Sequence, residues 1–137
     1  MYDTKIINIY GNEGSGKSTI AAYLFSELKE RNIECELVTE VAKDFVWQED
    51  NNSLNNQILV FGNQLMRLER LIGKVEYIIT DAPLLLQIGF YKSKCLPGDR
   101  AFKKLVLAHY KRFNNIDIAL KSRKIVSKTG RITKGVN

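Results

Sequence analysis

The spacing of hydrophobic positions changes period several times along this chain. Lys5-Ile6-Ile7-Asn8-Ile9-Tyr10 is a short, apolar, β-branched run with a glycine-rich loop directly behind it, and it reads as a buried first strand. Beyond the loop, Ile20, Leu24 and Leu28 recur every four residues with Ala21 and Phe25 beside them, the apolar face of a helix reaching to about Arg31. Residues 34–39 alternate charged and apolar side chains and predict a second, more exposed strand, and a helical stretch follows over 40–47. After the polar break Asp50-Asn51-Asn52-Ser53, the positions Ile58, Phe61, Leu65, Leu68, Leu71 and Ile72 keep helical spacing over residues 54–72, until Gly73-Lys74 ends it. Residues 75–80 form a third strand closing on Asp81-Ala82-Pro83. Pro97-Gly98-Asp99 is a turn with a helix cap ahead of a helix over 100–113, whose apolar face includes Phe102, Leu105, Val106 and His109. Residues 115–120 alternate again and give a fourth strand.

Strands that alternate with helical crossovers predict an α/β fold: three α/β/α layers around a mainly parallel sheet of about four strands. Ligands of such sheets bind at the carboxyl ends of the strands, so the glycine loop after the first strand and Asp81 after the third fall on one rim. The 137 residues, 45% of them hydrophobic, suit a single domain over 1–137 with one core. Neither a membrane-length apolar run nor a leader pattern is present, which leads to the expectation of a cytoplasmic protein with no membrane partner. Cys35 and Cys95 form no CxxC pair; Cys35, in its strand, reads as a buried thiol. No Cys/His spacing suggests zinc, and His109, Trp47 and the tyrosines read as packing residues.

The charge is unevenly placed. The net charge is +6, yet residues 1–120 balance 15 basic against 15 acidic side chains. The excess lies wholly in Lys121, Arg123, Lys124, Lys128, Arg131 and Lys134, a segment with no acid. This pattern argues against a nucleic-acid face spread over the domain and leaves one basic tail, over 121–137, as the segment that could meet nucleic acid or another anion.

Gly11-Asn12-Glu13-Gly14-Ser15-Gly16-Lys17-Ser18-Thr19 satisfies GxxxxGK[ST] between a strand and a helix, the setting the motif requires. Glycines let the backbone fold tightly enough to turn several N–H groups towards a phosphate, and the helix start adds its unpaired N–H groups and dipole. In that role Lys17 reaches the β- and γ-phosphates, Ser18 holds Mg²⁺ and Thr19 lies near the α-phosphate. Glu13 is out of place, since a carboxylate beside polyphosphate is repulsive unless it faces away. Tyr77-Ile78-Ile79-Thr80-Asp81 is an apolar strand ending in an acid, the pattern of a second nucleotide motif. Asp81 thus serves as a magnesium ligand, as the acceptor of a proton from an attacking hydroxyl, or as a mere cap of the following turn.

With these motifs placed, the chain resembles P-loop kinase-type NTPases, and within them a phage-encoded group of ATPases related to the kinase domain that phosphorylates ribosylnicotinamide. The resemblance rests on residues 11–19, on Glu40-Val41-Ala42-Lys43-Asp44, on residues 61–70 and on Thr80-Asp81-Ala82-Pro83-Leu84-Leu85. It implies ATP and Mg²⁺ as ligands and a small-molecule acceptor lined by Glu40, Lys43, Gln64 and Arg67. It also implies a lid carrying Arg123 and Arg131 over the triphosphate, in the host cytoplasm if the gene is phage-borne. Kinases of this kind normally continue into a further helix and a final strand, whose preceding loop holds adenine. That final strand is missing from the pattern here, so the fourth strand is expected to be an edge open to a second copy or a protein partner.

Three functions follow. The first is a Mg²⁺-dependent kinase passing the γ-phosphoryl group of ATP to a nucleoside, nucleotide or ribosylated base. The second is a nucleotide-dependent ATPase or switch acting on a protein. The third, which the neutral domain disfavours, is a nucleic-acid-binding or DNA-base-modifying protein using the basic tail.

Overall fold

A computed structural model of the chain describes residues 1–121. The elements run β1 (Lys5–Tyr10), α1 (Lys17–Glu30), β2 (Cys35–Val38), α2 (Val41–Trp47), α3 (Asn51–Asn55), α4 (Gln57–Glu69), β3 (Tyr77–Thr80), α5 (Leu86–Ser93), α6 (Asp99–Lys111) and β4 (Asn114–Ala119). The strands pair in the order β2-β3-β1-β4, every neighbour parallel. Asn8 stands in register with Thr80 on one side and Asp117 on the other. All four carboxyl ends therefore share one rim, as a parallel sheet with crossover helices requires.

The sheet buries both faces, and alternation along β1 sorts them. Ile7 and Ile9 point to the α1 side, where Ala21, Cys35 and Ile79 complete a buried cluster flanked by Leu24, Phe25 and Leu28. Ile6 points the other way, into a larger cluster with Phe61, Leu65 and Leu68 of α4, Tyr91 of α5, and Phe102 and Val106 of α6. Phe102 stacks on Tyr91 at 4.1 Å between ring centroids and meets Phe61 edge-on at 5.4 Å. The Cys35 thiol is buried and free, and burial pushes its pKa up. His109 packs its ring edge against Phe61 and accepts a hydrogen bond from Arg112 at its Nδ1, a packing role.

Several expected faces turn out otherwise. The long helix expected over 54–72 is two helices, α3 and α4. Asp50 caps α3 by accepting from the Ser53 N–H at 3.1 Å, and Asn56 breaks the run and caps α4 through the Leu59 N–H at 3.1 Å. Ile58, placed on the apolar face by its spacing, is 63% exposed, because the restart at Gln57 rotates it outward. Ile20 and Leu105 also face solvent, since Ala21 and Val106, one position along, take the core positions of α1 and α6. Trp47, expected among the packing residues, is 85% exposed. Helix α5 lay unassigned between the third strand and the Pro97-Gly98 turn. None of the helices among the described residues is long and apolar enough to cross a membrane.

Candidate active site

The loop between β1 and α1 has the backbone its composition demands. Gly14 and Gly16 lie at φ 79° and 95°, in the left-handed region that disfavours side chains. Gly11 is required for a different reason: a Cβ there would fall 2.3 Å from Ser15 Oγ. The Ser15 N–H closes a turn on the Asn12 carbonyl at 3.0 Å, and the Ile20 N–H opens the helical ladder on the Gly16 carbonyl at 2.9 Å. Gly16 is the cap residue of α1 and offers no side-chain acceptor, so no side chain caps the first N–H groups of α1. No acid stands in that first turn either. A helix start left this way carries its positive dipole end unneutralised, which suits an anion.

Across the rim, Asp81 follows β3 directly. Its Oδ2 accepts a hydrogen bond from Ser18 Oγ at 2.7 Å. Its Oδ1 is buried with no hydrogen-bond partner among the described residues, and the same holds for Ser15 Oγ. A buried carboxylate oxygen left unpaired is costly unless a cation or proton donor completes it. A hydroxyl and a carboxylate side by side are hard oxygen donors of the kind Mg²⁺ takes, with waters and phosphate oxygens filling the remaining positions. The residues present therefore fit magnesium, held by Ser18 and Asp81. Among the described residues there is no cluster of three or more metal-ligating His, Cys, Asp or Glu side chains, so the phosphates themselves would have to contribute.

A cavity of 660 Å³ opens over this loop, with Lys17, Ser18, Thr19 and Asp81 on its floor and Glu40 and Lys43 on one wall. Leu86 and Phe90 of α5 form an apolar wall on the same cavity. A neighbouring cavity of 370 Å³ shares Ser18, Glu40, Lys43 and Asp81, and is closed by Thr39, Asp44 and Trp47. Both volumes lie in the range of small-molecule sites. Glu13 lines the larger cavity and is exposed, free to turn into solvent.

The four acceptor-side residues part into two pairs. Glu40 and Lys43 line both cavities beside Asp81. Gln64 lies fully buried on α4, and its amide is spent on backbone: Oε1 accepts from the Val41 N–H at 2.9 Å and Nε2 donates to the Thr39 carbonyl at 3.0 Å. Arg67 pairs with Asp44 and donates at 3.4 Å to the Thr39 carbonyl, and it lines a separate groove beyond β2. Thus Gln64 and Arg67 hold the turn between β2 and α2 that carries Glu40 and Lys43. Arg123 and Arg131, the expected lid cations, lie outside the described residues.

Spacing did not single out Thr39, Asp44, Trp47, Leu86 or Phe90. Leu86 and Phe90 had a signal, an i, i+4 apolar pair just after Asp81-Ala82-Pro83. Trp47 had none, because an exposed tryptophan and a packed one look alike in sequence.

The arrangement is that of a P-loop kinase-like fold. A cysteine-to-alanine mutant of the APS kinase CysC from Mycobacterium tuberculosis has a similar solved structure, with a TM-score of 0.54 and 15% identity over 88% of this chain and 77% of that one. At that identity the likeness concerns the fold. No family model matches this sequence, and no curated protein matches it.

Proposed function

We propose that this protein is an ATP-binding kinase that transfers the γ-phosphoryl group, with Mg²⁺, to a small nucleoside, nucleotide or ribosylated-base acceptor in the cytoplasm. The observation that carries the reading is the Ser18 Oγ–Asp81 Oδ2 contact of 2.7 Å at the mouth of a complete glycine loop, with Asp81 Oδ1 left unpaired. A bare anion-binding loop needs no carboxylate on the opposite strand; a phosphoryl-transfer site does.

In this reading the N–H groups of residues 11–19 cradle the triphosphate, Lys17 sits on the β- and γ-phosphates, and Ser18 and Asp81 hold magnesium. The metal supplies neutralisation of the charge that develops on the phosphoryl oxygens. Glu40 and Lys43 orient the acceptor hydroxyl, and Gln64 and Arg67 fix the turn that presents them. The acceptor oxygen forms its bond to the γ-phosphorus as the bond to the β–γ bridging oxygen breaks. ADP departs with that electron pair, and the hydroxyl proton passes to a carboxylate on the rim, for which Asp81 is best placed. Arg123 and Arg131 would add positive charge over the transferring group.

The test is calorimetric titration of non-hydrolysable ATP and GTP analogues with and without Mg²⁺, followed by an acceptor panel read by mass spectrometry. Saturable, Mg²⁺-dependent binding and a product heavier by one phosphoryl group are expected. No binding by the intact chain, or equal binding by Lys17→Ala, would overturn the reading.

One observation favours a second reading, a nucleotide-dependent switch. Among the described strands β4 ends the sheet, and its Ile116 is 39% exposed, so a partner chain could add there. Slow hydrolysis without any phosphorylated acceptor, together with nucleotide-dependent association, is the result that would select it.

A further inference from the structure

We infer that the acceptor presents an aromatic ring to Trp47 and carries no phosphate of its own. This rests on the kinase reading above and narrows it. The 370 Å³ cavity has Asp81 and Ser18 at its inner end and Trp47 at its rim, so a molecule whose hydroxyl reaches Asp81 extends towards the indole. Trp47 is the last residue of α2 and 85% exposed, and it makes no hydrogen bond or ring contact with the described residues. Six residues before it, Val41 anchors the same helix in the core, which leaves the tryptophan about 120° away from the buried face. A large apolar ring exposed at the mouth of a ligand-sized cavity is a stacking surface for a nucleobase or similar planar group.

Charge decides the second half. The cavity is lined by three carboxylates, Glu40, Asp44 and Asp81, against one ammonium, Lys43. Arg67 compensates Asp44, but it sits in the groove beyond β2 and does not line this cavity. A phosphorylated acceptor would bring two further negative charges into a space that is already negative. A site built for such an acceptor carries arginines or several lysines. A neutral or cationic nucleoside meets no such penalty.

Trp47 is the one tryptophan of the chain, so its fluorescence reports on this cavity alone. The full chain is first saturated with a non-hydrolysable ATP analogue and Mg²⁺. A panel of nucleosides, their 5′-monophosphates and ring-free sugars is then titrated against tryptophan emission and, in parallel, by calorimetry. At least one nucleoside is expected to quench emission saturably, with its monophosphate binding at least about tenfold more weakly. Trp47→Ala should weaken that nucleoside roughly 5- to 100-fold by calorimetry, and Trp47→Phe should restore most of the loss. Glu40→Gln should narrow the gap between nucleoside and monophosphate. Tighter binding of a monophosphate, binding of no ring-bearing nucleoside, or unchanged affinity in Trp47→Ala would each overturn the inference. If the ATP analogue binds and a monophosphate or a ring-free sugar is phosphorylated, this inference fails and the kinase reading stands. If the analogue itself does not bind, it is the kinase reading that fails.

Discussion

Two polar clusters lie at the carboxyl half of β1, and they are built in opposite ways. In the first, between β1 and β4, Asn8 donates at 2.9 Å to both Asn115 Oδ1 and Asp117 Oδ1. Tyr110 donates to the second oxygen of Asp117, and Asn115 Nδ2 returns to the Tyr110 carbonyl at 2.8 Å. These groups are spent on one another. In the second cluster, at the glycine loop, Ser15 Oγ and Asp81 Oδ1 are buried and unpaired, and the start of α1 has no side-chain cap. A polar network that satisfies itself adds specificity to the fold, whereas one left incomplete reserves its interaction energy for something that arrives later. The contrast separates structure from function where residue type alone does not, since both clusters contain an aspartate at the end of an apolar strand.

The contrast can be broken at Lys17 with the largest effect. Lys17→Ala should reduce ATP-analogue affinity and phosphoryl transfer by about 10² or more while thermal unfolding stays put. An unaltered titration would mean that the open cluster is not a phosphate site. Asp81→Asn sharpens the comparison from both directions. Turnover should fall by roughly 10²-fold, and the melting temperature should hold or rise, because the buried unpaired carboxylate loses its charge. A clear drop in stability with activity intact would make Asp81 a structural cap instead.

Asn8→Leu should do the reverse. It leaves Asn115 and Asp117 short of a donor in a partly buried layer, costing about 1–3 kcal/mol in urea unfolding, with nucleotide affinity of the folded protein unchanged.

The smallest effect concerns pH. Burial, and then the Asp117 charge, raise Tyr10 to about 12, and burial followed by the hydrogen bond to Asp117 raises Tyr110 as well. Unfolded tyrosines ionise near pH 10, so the unfolded chain loses these protons first. The stabilisation is complete below about pH 10 and declines as pH climbs from there through the folded values. Tyr10→Phe should make the fall in urea midpoint above about pH 10 shallower. A midpoint that falls equally in both proteins would show that Tyr10 does not carry this term.

Much of the frame could be read from periodicity. The strands, α1 and the position of Asp81 follow from β-branched runs and four-residue spacing, and the loop from glycines that a tight backbone requires. What escaped reading has physical causes. In residues 84–96 the apolar positions Leu84, Leu85, Leu86, Ile88, Phe90 and Tyr91 are too dense to mark one face, because α5 packs into the core on one side and walls the cavity on the other. The break at Asn56 was hidden because its neighbours keep helical spacing across it. Gln64 looked like a polar residue on an exposed face, since sequence does not show that two backbone groups at the end of β2 wait for its amide. Which of Glu40, Lys43 and Trp47 share a cavity depends on how that turn sits against β3, and only tertiary packing sets it.

The Gln64 amide has a consequence for how this site could change over generations. It grips only main-chain atoms, at Thr39 and Val41, and so holds the turn whatever side chains stand at 40, 43 and 47. Those three positions can be exchanged without dismantling their support. The phosphate loop is constrained by its backbone and admits little variation; the facing wall is a socket whose lining is replaceable. Such a division lets one scaffold explore new acceptors one substitution at a time.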